Sequence, residues 1–366
     1  MVLIIKKRIS AALLISLLLC CPVTASADGA PSVRAEKAVI MSDKGQILYG
    51  KNGNERSLIA STTKLMTALL TIEDGHLYRT VEIRPEHCAV EGSSMYLKPG
   101  ERYSVMELLE GLMLVSGNDA ALALADAVGG DRSHFVEQMN ERAGQLGMRS
   151  SHFANPHGLD EEGHYSTAED MARLMAQCMQ NETFAQLVGM KSCTVRGLTL
   201  INHNKLLNLC PGCLGGKTGY TEAAGRCLVS CCERAGFRLI CVTLDDPQDW
   251  LDHQSLYDWA FSAYSRRNVT AELSYELAVI SGQKAAVKVK AEPLELLLPE
   301  DKDVELQAEL PHFVFAPVRA GDTVGKVKAV SDGQVLGETR LVYGESSEQL
   351  RKTRIFPFRL RDTHER

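Results

Sequence analysis

Ser61-Thr-Thr-Lys64-Leu-Met-Thr-Ala-Leu-Leu-Thr-Ile72 is the stretch around which the rest of the chain organises. Leu65, Met66, Ala68, Leu69, Leu70 and Ile72 place apolar side chains nearly all round a helix, which marks a helix buried inside a domain. Ser61 and Lys64 open it, and an i to i+3 spacing sets their side chains beside each other. A hydroxyl at a helix N-terminus sits at the positive end of the dipole, which favours developing negative charge. A lysine in buried surroundings, with a second cation near it, gives up its proton more readily and can act as a neutral base. Taken alone, the pattern also fits an N-cap serine followed by a surface lysine. Ser281-Gly-Gln-Lys284 matches it too, but in β-type sequence, where this spacing points the two side chains to opposite faces.

Working outward, residues 38–41 and 46–49 flank Ser42-Asp-Lys-Gly45, which reads as a hairpin. On the other side, Ser104-Val-Met-Glu107 has the form of a capping box and opens a helix ending near Val115. Further helices are expected after Asn118 and Asp119 to Val128, over 131–146, and over 167–180. From about residue 193 the pattern turns to β, with runs at 227–232 and 237–244 around Glu233-Arg-Ala-Gly236. Strands at both ends with helices between them predict an α/β sandwich built on one antiparallel sheet. Residues 249–264, with Trp250, Leu251, Leu256, Tyr257, Trp259 and Phe261, predict a closing helix packed on that sheet. Beyond about residue 268, runs at 286–289, 294–298, 304–310 and 326–330 are separated by Pro, Gly and Asp turns and predict a small all-β domain.

Composition agrees with this size. At 366 residues and 45% hydrophobic the chain can build a large core and more than one domain. A net charge of −6 leaves no basic footprint, so nucleic acid is not expected as a partner. Lys6-Lys7-Arg8, an apolar run at 9–19 and Ala25-Ser-Ala27 read as an export signal cleaved after Ala27, with an uncleaved anchor as the alternative. Leu19 stands where a lipoprotein signal wants a small residue before Cys20. The layout is then 1–27 signal peptide, 28–266 catalytic domain, 267–345 all-β domain and 346–366 basic tail. Location is expected outside the cytoplasm, at the outer face of the cytoplasmic membrane or in the cell-wall zone.

Of 11 cysteines, Cys20 and Cys21 leave with the signal, so an odd number remain. Most lie in apolar runs and read as free, buried small hydrophobes. Cys210-Pro-Gly-Cys213 has no second ligand pair nearby, which disfavours zinc and leaves a local disulfide or a plain tight turn. His157, His164 and His203 match no metal spacing and read as structural or cleft-lining; no metal or cofactor is expected.

Two more strings bear on chemistry. Ser116-Gly-Asn118 lies at a break between helices, where side chains can point into a cleft; helix capping by Asn118 is its plain alternative. Lys217-Thr-Gly219 follows Gly215-Gly216 and leads into a strand. Without a side chain at Gly219, an extended peptide can lie along the strand edge and bring its terminal carboxylate to Lys217 and Thr218. The three strings together, each on the element its role needs, supply the equipment for acyl transfer through a serine ester.

With these residues in view, the chain resembles the serine D-alanyl-D-alanine carboxypeptidases, the low-molecular-mass penicillin-binding proteins. The resemblance is carried also by Gly92-Ser-Ser-Met-Tyr-Leu-Lys-Pro-Gly100, Leu114-Val-Ser-Gly-Asn-Asp-Ala-Ala121, His157-Gly-Leu-Asp160, Gly215-Gly-Lys-Thr-Gly-Tyr-Thr221 and Ala316-Pro-Val-Arg-Ala-Gly-Asp-Thr-Val-Gly325. It implies a β-lactamase/transpeptidase-like sandwich followed by the all-β domain. It implies Ser61 as nucleophile, Lys64 as base, and Ser116 and Asn118 as proton relay and amide contact. Lys217 and Thr218 would bind the terminal carboxylate, with Gly219 beside the substrate. The backbone N–H groups of Ser61 and Tyr220 would form the oxyanion hole; some members have histidine where Tyr220 stands. The implied substrate is a peptidoglycan stem peptide ending in D-Ala-D-Ala, with β-lactams as covalent inhibitors.

Three questions stay open at this level. Relatives often end in an amphipathic helix, whereas Pro357 interrupts Arg351, Lys352, Ile355, Phe356, Phe358, Arg359 and Arg361; a peripheral contact with anionic lipid stands beside a solvated basic tail. A β-lactamase shares the acylation machinery; no Glu-x-x-Leu-Asn string lies in 150–170, but Glu161 and Glu162 are there. A wall-binding scaffold without activity would have no physical need for the full set of polar residues.

Overall fold

In a computed structural model, residues 3–7 and 29–350 are described. Cys20, Cys21, the cleavage site and the basic residues from 351 onward lie outside them. The chain divides into two compact units between Tyr264 and Ser265.

The first unit is built on a five-stranded antiparallel sheet in the order Ile47–Lys51, Lys37–Ser42, Phe237–Leu244, Gly225–Arg234, Cys213–Thr221. Its edges therefore come from distant parts of the unit's sequence, on either side of the helical block. Lys37–Ser42 is buried along its whole length, the signature of a strand covered on both faces. The turn at Ala235 and Gly236, with φ of 50° and 78°, has the two left-handed residues of a type I′ hairpin.

One face of the sheet carries Asp249–Ala263, which buries His253, Leu256, Tyr257 and Ala260. The other carries Ala168–Cys178 and, deeper in the helical layer, Lys64–Glu73. Leu65, Met66 and Leu69 are wholly buried there, each contributing about 1.5–3 kcal/mol of transfer free energy. The expected capping box is present: Glu107 N donates to Ser104 Oγ at 3.2 Å and Ser104 N to Glu107 Oε2 at 2.7 Å, at the head of Val105–Leu114. The next helix runs Asn118–Gly129, so Asn118 is its first residue and does not precede it. A hairpin of Ser192–Val195 and Leu198–Ile201, too short and polar to stand out in the sequence, brings Asn202 and His203 to the cleft.

The second unit is a seven-stranded sheet with a core of Leu277, Val287, Val289, Leu306, Ala308, Val327, Ala329 and Leu341. It is all-β, as expected, and Phe313–Phe315 pairs in parallel with Ser274–Ile280. Ser281 and Lys284 lie just past the end of a strand and not inside one: Ser281 has φ 59°, and Lys284 Nζ pairs with Glu345. Leu3–Lys7 pairs antiparallel with Glu305–Leu310 at the sheet edge. The pairing satisfies backbone groups that an edge otherwise leaves open; these residues fall within the segment that the sequence reads as an export signal.

His253 is one source of acid sensitivity in the first unit, beside His157 and His164. Its Nδ1 lies 2.8 Å from Ser230 Oγ and its Nε2 3.1 Å from Thr243 Oγ1, and burial pulls its pKa down to about 3. The unfolded chain therefore takes up a proton there, below its ordinary value near 6.5, that the folded chain refuses until about pH 3. Stability from this group is intact above that window and falls as pH drops through it, by roughly 2 kcal/mol at about pH 5. Calorimetry is expected to show a lower Tm at about pH 5 than at about pH 7.5, and a smaller difference in His253→Gln. An unchanged difference in that variant would place the acid lability elsewhere.

Candidate active site

Ser61 sits in a single 3-10 turn, Ala60–Thr63, and the α-helix proper begins at Lys64. The sequence places Ser61 at the helix N-terminus; the tighter turn sets its side chain one step outside the helical ladder. Ala60 holds φ 45°, a left-handed conformation that a non-glycine residue adopts only when its surroundings enforce it. The enforcement is visible. Thr62 Oγ1 donates to Ile59 O at 2.6 Å and Thr63 Oγ1 to Ala60 O at 2.9 Å. His164 Nδ1 accepts from Ala154 N at 3.0 Å, so its Nε2 carries the hydrogen and donates to Thr63 Oγ1 at 2.8 Å. Burial keeps that imidazole neutral, with a pKa down to about 4. Gly158, at φ 89°, presses on the same turn: a Cβ there would stand 2.0 Å from Ala60 O.

Lys64 is buried, and its Nζ has three neighbours: Ser61 Oγ at 2.8 Å, Asn118 Oδ1 at 2.7 Å and His157 O at 2.7 Å. No carboxylate is among them. Burial, followed by the charge of Lys217, holds its pKa well below that of an ordinary lysine, with Asp119 opposing weakly. His157 contributes its carbonyl; its ring is held neutral by burial and by Lys64, at a pKa of about 3.

Ser116 and Asn118 enter from the break between helices, as their string suggests. Ser116 adopts φ 61°, and its buried Oγ has no hydrogen-bond partner among the described residues. Asn118 is fixed on both sides of its amide, Oδ1 toward Lys64 and Nδ2 donating to Glu91 O at 2.6 Å. Asp119, which the sequence marks only as a helix start, is the anchor of this corner. Its carboxylate accepts from Ser94 Oγ at 2.6 Å, Leu97 N at 3.0 Å and Met95 N at 3.1 Å, tying the 93–97 loop to the helix start.

Lys217, Thr218, Gly219 and Tyr220 lie on the edge strand Cys213–Thr221. Lys217 is buried without a carboxylate, and burial lowers its pKa to about 7; its Nζ donates to Thr218 O at 2.8 Å. Gly219 packs directly on the Ser61 turn, where a Cβ would meet Ser61 N at 3.0 Å and Ala60 Cβ at 3.1 Å. Beyond it Tyr220 turns outward and is 64% exposed. Thr221 Oγ1 donates to Asp160 Oδ1 at 2.9 Å, closing the strand onto the 157–160 loop.

Ser61, Ser116, Thr218, Gly219 and Tyr220 open onto one cleft of about 640 Å3. His203 lines it, while His164 stands behind the Ser61 turn. A far wall unforeseen in the sequence is made by Arg226, Asp249 and Trp250: Arg226 Nη2 donates to both Asp249 carboxylate oxygens at 2.8 and 2.9 Å, with its guanidinium 5.5 Å from the Trp250 ring centre. Glu161 is held by Asn155 Nδ2 at 2.8 Å, and neither it nor Glu162 is among the residues lining the cleft. Among the described residues, no cluster of three His, Cys, Asp or Glu is arranged to hold a metal.

Comparison with known proteins bears on this geometry. Residues 24–248 match the family described as D-alanyl-D-alanine carboxypeptidase, and residues 269–349 match the C-terminal domain of penicillin-binding protein 5. The chain is 33% identical over 347 residues to D-alanyl-D-alanine carboxypeptidase DacF of Bacillus subtilis, covering 88% of each. It is 30% identical over 338 residues to D-alanyl-D-alanine carboxypeptidase DacA of Escherichia coli, covering 86% of this chain and 84% of that one. Among solved structures, penicillin-binding protein 5 of Haemophilus influenzae superposes with a TM-score of 0.76 at 29% identity, over 87% of this chain and 99% of the other.

Proposed function

The chain belongs to the D-alanyl-D-alanine carboxypeptidase family, and from that premise we propose how its own residues perform the reaction. It is a serine-type peptidase that removes the terminal D-alanine from peptidoglycan stem peptides and is acylated by β-lactams. The observation that carries the residue assignment is Lys64 Nζ, in reach of Ser61 Oγ and Asn118 Oδ1 at once with no carboxylate beside it. A neutral amine keeps two N–H groups for Asn118 Oδ1 and His157 O, leaving its lone pair for the Ser61 O–H.

In this reading the Ser61 proton passes to Lys64 as Oγ attacks the carbonyl carbon of the penultimate D-alanine. Charge on the tetrahedral oxygen falls between the N–H groups of Ser61 and Tyr220. The departing nitrogen of the terminal D-alanine receives the proton from Lys64 by way of Ser116, whose Oγ has no hydrogen-bond partner among the described residues. Water then hydrolyses the ester, with Lys64 again as base. Lys217 and Thr218 hold the terminal carboxylate; an anion beside Lys217 offsets the burial that depresses its pKa, so binding substrate recharges it. Residues 28–266 act as the catalytic domain and 267–345 as the all-β domain.

Export is proposed from residues 1–27, and a peripheral contact of the 346–366 tail with anionic lipid from Arg351, Lys352, Arg354, Arg359 and Arg361 among Ile355, Phe356, Phe358 and Leu360. No helix among the described residues is long and apolar enough to cross a membrane. Cosedimentation with phosphatidylserine vesicles is expected at low salt and lost at high salt. Binding equal to that of a chain ending at Leu350 would remove the tail from the account.

Intact-mass spectrometry with benzylpenicillin is expected to show one long-lived adduct, absent in Ser61→Ala. Rapid drug turnover without an adduct would make the protein a β-lactamase, and neither adduct nor turnover would make it a scaffold. A second expectation concerns pH. Lys217 loses its charge in the free enzyme as pH rises through about 7, so kcat/KM should fall on that limb. In Lys217→Arg the side chain stays charged, and the alkaline limb should move up by more than about one pH unit. A limb that stays put would assign it to another group.

A further inference from the structure

Cys210-Pro-Gly-Cys213 does not close on itself. Pro211 and Gly212 (φ 80°) form the middle of a turn in which Cys213 N donates to Cys210 O at 3.1 Å. Gly212 O then accepts from Glu233 N at 2.9 Å, and a Cβ on Gly212 would stand 2.4 Å from Glu233 O. The turn is thereby pressed flat against the Gly225–Arg234 strand. Cys213 Sγ points along its own strand toward Gly215 O, whereas Cys210 is brought against Cys232, four residues beyond Leu228 on the neighbouring strand. Both thiols reach the same carbonyl: Cys232 Sγ lies 3.3 Å from Pro211 O and Cys210 Sγ 3.9 Å from it. Arg234 completes the cluster, donating from Nη2 to Cys210 Sγ at 3.3 Å and from Nε to Pro211 O at 2.8 Å, while Asp258 holds its Nη1 at 2.6 Å.

We propose that Cys210 and Cys232 are a redox-active thiol pair, Cys210 attacking low-molecular-mass disulfides and Cys232 resolving the product into an internal disulfide. The chemistry balances. The Cys210 thiolate attacks one sulfur of the disulfide, a mixed disulfide forms and one thiolate leaves. Cys232 gives its proton to water and attacks the Cys210 sulfur, and the second thiol leaves. The protein pair loses two electrons and two protons overall, and the reagent becomes two thiols.

Electrostatics divide the roles the same way. The Cys232 S–H and the Arg234 guanidinium draw the Cys210 pKa down to about 7, and the same contact together with burial drives Cys232 up. Cys193 and Cys213 are instead pushed up by burial to about 11. The bond would join the Leu206–Leu209 turn to the Gly225–Arg234 strand, and Asn208 on that turn lines the cleft. This site stands independently of the roles assigned around Ser61.

Oxidised glutathione is the probe, with peptide mapping after the remaining thiols are alkylated. The native protein at about pH 7 is expected to yield a Cys210–Cys232 disulfide, forming at least about tenfold faster than any mixed disulfide at Cys193. Cys232→Ser is expected to retain glutathione on Cys210, and Cys210→Ser to leave Cys232 unmodified. First modification at another cysteine, a Cys210–Cys213 linkage, or no reaction in the folded native protein would each overturn the proposal. Because native mapping decides the point, it stands even if a variant folds poorly.

Discussion

Everything at the cleft depends on keeping one amine out of water without an anion beside it. Lys64 is fully buried, faces two neutral oxygens and a hydroxyl, and shares the site with a second buried lysine. Removing an ammonium from water without a counter-ion costs more than losing its proton, so the site selects the neutral amine. Lys217, buried in the same way, keeps an affinity for protons that a bound carboxylate restores. One desolvation thus suits Lys64 to the proposed role of base and Lys217 to that of anion receptor.

The surrounding fold exists to hold that environment rigid. The Ser61 turn is strained at Ala60 and is clamped by Thr63 and His164 from behind, Gly158 from the side and Gly219 from the sheet. Asp119 does the same for the opposite wall by fixing three donors of the 93–97 loop. None of these groups needs to touch substrate. They act by leaving Ser61, Lys64 and Asn118 with a single arrangement, as a preorganised site requires.

What could be read ahead of the structure followed from periodicity and spacing. Ser61 and Lys64 meet because they are three residues apart on helical backbone, a relation local enough to be read directly. The sandwich followed from where β-type runs fall relative to the apolar helix. The sequence marks Asp119 only as a helix start; its anchoring role was invisible because its partners lie more than twenty residues away, and Arg226 and Asp249 join across a strand and a helix with nothing in either segment to announce it. Ser281 and Lys284 show the converse: read as β-type sequence, they lie in a turn past the strand end, with Lys284 paired to Glu345. The C-x-x-C string left a local disulfide or a plain tight turn open; it forms the turn, which brings Cys210 to Cys232.

The sequence by itself determined most of the elements and singled out the groups proposed to react, since helix periodicity, capping and the three short strings are encoded within a few residues of one another. Tertiary structure alone decided the proton affinities. Burial of Lys64 and Lys217, the absence of a facing carboxylate, and the thiolate character of Cys210 beside Arg234 all arise from residues distant in the chain. Electrostatic free energy depends on what surrounds a charge in three dimensions, and a one-dimensional pattern carries no measure of that.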